Sequence, residues 1–183
     1  MKELSLNILD ISKNSVKARA TLIQILIAET EDKIEIKIID NGCGMTSEVL
    51  RGVIDPFYTT RTTRKVGLGI PLLKLAAEQT GGEISIESRH ESEFPLDHGT
   101  VVFAVFYKNH IDFTPIGDIV STMVTLIQGS PDIDFLFEHK SDSVNVFLDT
   151  REVRDVLGGE IPLDFPDVLD WISSNLREQY SVL

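Results

Sequence analysis

The eight residues from Lys33 to Asp40 constrain this chain most. Ile34, Ile36 and Ile38 alternate with Lys33, Glu35 and Lys37, the period-2 pattern of a strand with one face in a core and the other in water. Such a strand needs a sheet covered on one side. TLIQILIAE, just before it, supplies a neighbour expected to pair antiparallel. Ahead of both, LSLNILDISKNSVKARA places Leu4, Ile8, Ile11, Ser15 and Ala18 on one face of a helix. Downstream, GIPLLKLAAEQTGG reads as a helix with Pro71 in its first turn and Gly81 and Gly82 at its end. EISIES and TVVFAVFY read as two further strands. This order predicts an α/β fold, a two-layer sandwich of a mixed β-sheet with helices on one face.

A boundary is expected near residue 110, where the polar stretch KNHIDFTP follows the last of these strands. Charge changes there too. Residues 1–109 carry 13 basic and 15 acidic side chains, whereas residues 110–183 carry 4 and 14. The two expected domains are therefore 1–109 and 110–183, the second a small acidic α+β unit. It reads as a helix over PIGDIVSTMVTLIQ, a hairpin around Ser141 and Asp142, and helices over REVRDVL and FPDVLDWISSNLREQ. Trp171, Leu169, Ile172 and Leu176 are expected to form the core stripe of the last helix.

Composition excludes several classes of function. No apolar run approaches the roughly 18–20 residues that cross a bilayer, and the N-terminus lacks the basic-then-apolar pattern of a leader. The single cysteine, Cys43, agrees with a reducing compartment, so a cytoplasmic location is expected. A net charge of −12 without clustered Lys and Arg argues against nucleic acid as partner.

Asp10 and Asn14 lie four apart on the first helix and project from one face. Asn14 can give a neutral oxygen to Mg²⁺, which takes few protein ligands and completes its octahedron with waters and substrate phosphates. Asp10 can orient or deprotonate a nucleophile. Alone, the pair reads more readily as solvated helix surface. The strand then ends in DNGCGM, where Asp40 can accept from an exocyclic amine while Gly42 and Gly44 permit positive φ and close approach of a ring. By itself this is a common Asp-Asn-Gly turn. Gly67, Leu68 and Gly69 open the second helix, whose free N–H groups and dipole suit a phosphate. A lone Gly-x-Gly is weak. The ordered set is specific: helix Asp and Asn, strand then DxGxG, a lid, GLG then helix, and a late Gly99-Thr100.

These motifs resemble the GHKL superfamily of gyrase, heat-shock chaperone, sensor histidine kinase and MutL ATP-binding domains, the Bergerat fold, over roughly residues 1–108. LDISKNSVKARAT resembles its N-box, DNGCGM and GLGIPLLK its glycine boxes, DPFYTT its phenylalanine box and HGT its last motif. The resemblance implies that Asn14 coordinates a Mg²⁺ bridging the phosphates of ATP and that Asp40 binds the adenine amine. It further implies that Thr100 supports adenine, that the glycine-box residues Gly42, Gly44, Gly67, Leu68 and Gly69 bind the nucleotide, and that residues 55–68 form a mobile lid.

Two departures sort the branches. Lys17 stands three residues after Asn14, where repair and chaperone ATPases place an acid and histidine kinases commonly a cation, which can neutralise a transferring phosphate. Asp10 stands where many members carry a Glu as general base. Only seven residues precede Ile8, so the helical hairpin with a phosphoacceptor His is expected to be absent, and His90 in HESEFPL is not read as its substitute. The implied function is a Mg·ATP-binding, histidine-kinase-like regulatory protein that transfers phosphate to, or signals to, a protein partner in trans, with the acidic second unit as docking surface. The alternatives are a non-catalytic ATP sensor and an ATP hydrolase clamp, against which Lys17 counts. Partner identity and oligomeric state are carried by no motif.

Overall fold

In the computed structural model, which describes residues 3–54, 69–143 and 145–181, the alternation in 33–40 has the expected result. Strand β2 (Lys33–Asp40) buries Ile34, Ile36, Ile38 and Asp40 on one face and turns Lys33, Glu35 and Lys37 outward. It pairs antiparallel with β1 (Leu22–Glu29), Ile25 opposite Ile38, and on its other side with β4 (Gly99–Tyr107). β4 in turn pairs antiparallel with β3 (Ile84–Arg89). Helix α1 (Leu4–Lys17) buries Leu4, Ile8, Ile11 and Ser15 of the stripe expected of it, while Ala18, the fifth member, is the half-buried C-cap just past its end. Helix α3 (Gly69–Gln79) ends as its glycines predict: Gly81 has φ +77°, and the N–H groups of Gly81 and Gly82 donate to Glu78 and Ala77. Between β2 and α3, Ser47–Ile54 form a further helix, α2, ahead of the 55–68 segment expected as a lid.

The rest of the chain supplies α4 (Ile119–Gly129), β5 (Asp134–Lys140), β6 (Asn145–Asp149), α5 (Thr150–Val156) and α6 (Pro166–Ser181). The boundary expected near residue 110 does not divide the sheet. β5 lies parallel to β1, with Ile23 opposite Phe135 and Ile25 opposite Phe137, and β6 pairs antiparallel with β5. The six strands form one sheet in the order β3-β4-β2-β1-β5-β6, and the parallel β1–β5 pair makes it mixed. One apolar cluster runs from Leu73 and Ala77 of α3 through the isoleucines of β1 and β2 to Phe135, Phe137, Ile172 and Leu176. The N-terminus of α1 depends on the later segment as well, since the N–H groups of Leu4 and Ser5 donate to the carbonyls of Pro115 and Ile116 at 2.9 and 2.8 Å. The fall in basic residues near 110 marks a change of surface, to which a shared core is indifferent.

The last helix carries a second correction. Leu169, Ile172 and Leu176 are buried as expected, but Trp171 is 54% exposed. Successive residues turn by about 100°, so Trp171 lies off the core stripe and beside Val168 and Asn175, at i−3 and i+4. No helix among the described residues is long and apolar enough to cross a membrane.

Candidate nucleotide site

The helix-covered face of the sheet is mostly apolar, and polar side chains gather at one end of it. There Ser88, Thr100 and Asp40 stand side by side on β3, β4 and β2, in register with one another. Asp40 is 9% exposed and lies under α1, where Ser15 Oγ donates to its Oδ2 at 2.6 Å. Its Oδ1 accepts from the Gly42 N–H at 2.9 Å. Each carboxylate oxygen has a second lone pair, so two internal donors orient the group without exhausting it. A buried carboxylate with no cation beside it is costly unless it is hydrogen-bonded. Ser15 and Gly42 meet that need.

The turn after β2 is held tightly on both sides. The Cys43 N–H donates to the Ala18 carbonyl at the end of α1, and the Cys43 carbonyl accepts from Glu91 N–H beyond β3. His98 Nδ1 lies 2.6 Å from the Gly42 carbonyl; only a protonated Nδ1 can bond there, so that tautomer is required. Ser88 Oγ accepts from Met45 N–H at 2.8 Å and lies 2.8 Å from Thr100 Oγ1. The two glycines do different work. Gly44 has φ +68°, and a Cβ there would meet the Arg89 carbonyl oxygen at 1.9 Å. Gly42 does not have the positive φ expected of it; a Cβ there would meet Ala18 at 2.8 Å and Asp40 Oδ1 at 3.0 Å. It is required by close packing.

Along α1, Asp10, Asn14 and Lys17 follow at i, i+4 and i+7 and so share a face. Asp10 and Asn14 are half-buried and Lys17 is exposed. Among the described residues none of the three side chains has a hydrogen bond or ion pair. The first residue of α3 lies against this face, because a Cβ on Gly69 would sit 3.2 Å from Asp10 Cβ. Gly67, Leu68 and the rest of the expected lid, with the DPFYTT motif, lie outside the described residues. The structure thus gathers Asp10, Asn14, Asp40, Gly42, Gly44, Gly69 and Thr100 around α1 and the β2 and β4 ends. No group of three or more His, Cys, Asp or Glu able to hold a metal occurs among the described residues.

From sequence Ser15 enters only as part of the helix stripe and His98 only within the HGT motif, while Ser88 is not singled out. For Ser15 the signal was present: a hydroxyl in an otherwise apolar helix stripe needs a buried acceptor.

Comparison with known proteins decides the family. Residues 2–110 match the family described as histidine kinase-, DNA gyrase B- and HSP90-like ATPase. The chain belongs to it. Its curated relatives include the sensor histidine kinase YvrG of Bacillus subtilis, 31% identical over 101 residues, covering 52% of this chain and 16% of the kinase. Another is the sensor histidine kinase ZraS of Klebsiella oxytoca, 32% identical over 84 residues, 44% of this chain and 18% of the kinase. The match therefore spans less than a fifth of either kinase. Among solved structures, the Aquifex aeolicus MutL ATPase domain complexed with ADP superposes with a TM-score of 0.54 at 12% identity, covering 86% of this chain and 70% of that one. That likeness concerns the fold, and its share of this chain exceeds that of the family match over residues 2–110. The chain is thus an α/β ATPase domain of the histidine-kinase-like superfamily.

Proposed function

We propose that this chain is a Mg·ATP-binding regulator of histidine-kinase type that passes phosphate, or its nucleotide state, to a separate protein. The observation that carries the reading is the Asp40 carboxylate, buried and oriented by one donor on each oxygen, Ser15 and Gly42, so that each oxygen keeps a second lone pair. A carboxylate held in this way accepts from the amino group of adenine and repels the carbonyl oxygen that guanine has at that position.

The remaining residues fit the rest of the ligand. Asn14 offers a half-buried carboxamide without a partner among the described residues, suited to one position of an octahedral Mg²⁺. Gly69 opens an α-helix against Asp10, so its end of α3 suits phosphate. Bound Mg·ATP would supply an activated γ-phosphoryl group. Asp10 would orient or deprotonate the attacking group, and Lys17 would offset charge on the phosphoryl oxygens. The acidic segment after residue 109 would present the docking surface.

ATP sensing without chemistry is a second reading, favoured by Asp10 being one methylene shorter than the Glu of many relatives. Phosphate release and label transfer from γ-labelled ATP, with and without basic partner proteins, separate the two. Transfer supports the kinase reading. Nucleotide binding with neither release nor transfer supports the sensor, and equal affinity for ATP and GTP overturns both.

A further inference from the structure

Beside the edge strand β6, helices α5 and α6 enclose an apolar groove of about 540 Å³ that the nucleotide site does not use. Phe147, Val156, Ile161, Phe165 and Trp171 line it, and all five are more than 40% exposed. An open cluster of this kind on an otherwise charged surface marks an interaction site. Its surroundings specify the occupant. Glu152 and Asp167 stand in the wall, and Asp155, Glu160, Asp164 and Asp170 are exposed nearby, none with an ion pair among the described residues. The two cations of α5 are already committed, Arg151 to Asp149 at 2.5 Å and Arg154 to Asp134 at 2.8 Å. The groove is thus apolar in its floor and uniformly negative at its rim.

That pattern selects among occupants. A second copy docking about a two-fold axis would set this acidic rim against itself. Anionic lipid and nucleic acid are repelled for the same reason. An added β-strand is blocked at the middle of β6, because the Gln179 amide engages both outward groups of Phe147: its Oε1 accepts from Phe147 N–H at 2.8 Å and its Nε2 donates to the Phe147 carbonyl at 3.0 Å. We infer that the groove between α5 and α6 docks an amphipathic helix of a partner protein, its apolar face seated on Trp171, Phe165 and Val156 and its flanks carrying Lys or Arg. This deepens the reading of the acidic segment as a docking surface and rests on that reading.

Trp171 is the only tryptophan in the chain, so its emission reports on the groove directly. The test titrates the full chain with a synthetic helical peptide of about five turns, Leu on one face and Lys on the other, beside a peptide with Glu for each Lys. The Lys peptide is expected to blue-shift Trp171 emission and to weaken at least about tenfold on raising salt from low to near-molar. The Glu peptide is expected not to bind. Val156→Asp, at a site 87% exposed and so tolerant of the change, is expected to weaken the Lys peptide about tenfold. A purely electrostatic association would instead tighten with the added charge. Equal binding of the two peptides, an unshifted Trp171, or unchanged binding in Val156→Asp would each overturn the proposal. So would a concentration-dependent dimer in sedimentation that Val156→Asp dissolves. ATP affinity of the same variant, measured by calorimetry, keeps this question apart from the nucleotide reading: loss of peptide with ATP binding intact assigns the groove, and wild-type chain without ATP affinity sinks the nucleotide reading alone.

Discussion

Ser15 on α1 donates to Asp40 at the end of β2, 25 residues later in the chain, at 2.6 Å. The bond ties the helix bearing Asp10 and Asn14 to the carboxylate proposed to accept from adenine. Asp40→Ala is expected to abolish ATP binding while leaving a folded chain, because Ser15 can hydrate once the acceptor is gone. Ser15→Ala keeps the carboxylate and removes its orienting donor; a hydrogen bond to a charged group is worth about 1.5–3 kcal/mol, so ATP affinity should fall by roughly tenfold or more. Calorimetric titration with ATP and GTP measures both.

Asn14 and Asp10 share a helix face but should fail differently. Asn14→Ala is expected to weaken Mg·ATP binding and to reduce the difference in affinity between Mg²⁺ and EDTA buffers. Asp10→Asn is expected to retain binding and to lower any turnover by about 10², a common general-base contribution. Full activity in Asp10→Asn would place the base elsewhere.

Gly44 and Gly81 have nearly the same left-handed backbone, φ +68° and +77°, in different surroundings. A Cβ at Gly81 meets nothing within 4 Å, so Gly81→Ala should cost only the left-handed conformation, about 1–2 kcal/mol. At Gly44 it meets the Arg89 carbonyl oxygen at 1.9 Å, so the turn must move off the end of β3. Gly44→Ala should lower the urea midpoint several times more than Gly81→Ala, and should impair ATP binding as well.

His139 is buried on the core face of β5, with Nε2 3.2 Å from Glu29 and Nδ1 2.8 Å from the Tyr180 hydroxyl. A carboxylate only accepts, so Nε2 carries the proton and Nδ1 accepts from Tyr180. Burial lowers the His139 pKa below its ordinary 6.5, and the attraction of Glu29, which Lys108 also engages at 2.7 Å, opposes the shift without cancelling it. The unfolded chain therefore binds this proton first. The stability contributed is complete above 6.5 and is lost as pH falls through that value towards the lower folded pKa. Melting temperature should drop as pH falls below 6.5, and His139→Gln, with a lower starting value, should show a shallower drop.

Removing everything after Asn109 takes away the carbonyls that cap α1, the strand beside β1 and the aromatic pair Phe135 and Phe137. The shortened chain should aggregate or lose cooperative melting, and with it ATP affinity. A soluble, cooperatively melting 1–109 fragment with full affinity would show that the shared core is dispensable.

The strands, α1 and the polar chemistry at Asp40 were legible because each has a local signature: alternation in 33–40, an apolar stripe in 4–15, a carboxylate before a glycine turn. The pairing of β1 with β5 was not, since parallel partners far apart leave no local pattern. Nor was the place of Trp171 clear, because Val168, Leu169 and Ile172 make most of α6 apolar near its start and periodicity alone does not say which flank the indole takes. Gly42 was legible as a glycine requirement, but the reason, a close approach to Ala18 and Asp40, exists only once α1 and β2 are packed.

The parallel pairing of Leu22 with Asp134 has a consequence for how the chain is made. During synthesis β1 and β2 leave the ribosome early, while the strand that closes the inner edge follows more than a hundred residues later. At roughly 5–20 residues per second that interval lasts on the order of 5–20 s. Throughout it β1 presents the unpaired edge that β5 will occupy, a natural client for a holding chaperone. The sheet is completed only by β5 and β6, so a ribosome that stalls before them releases an unfinished sheet in place of the shared core.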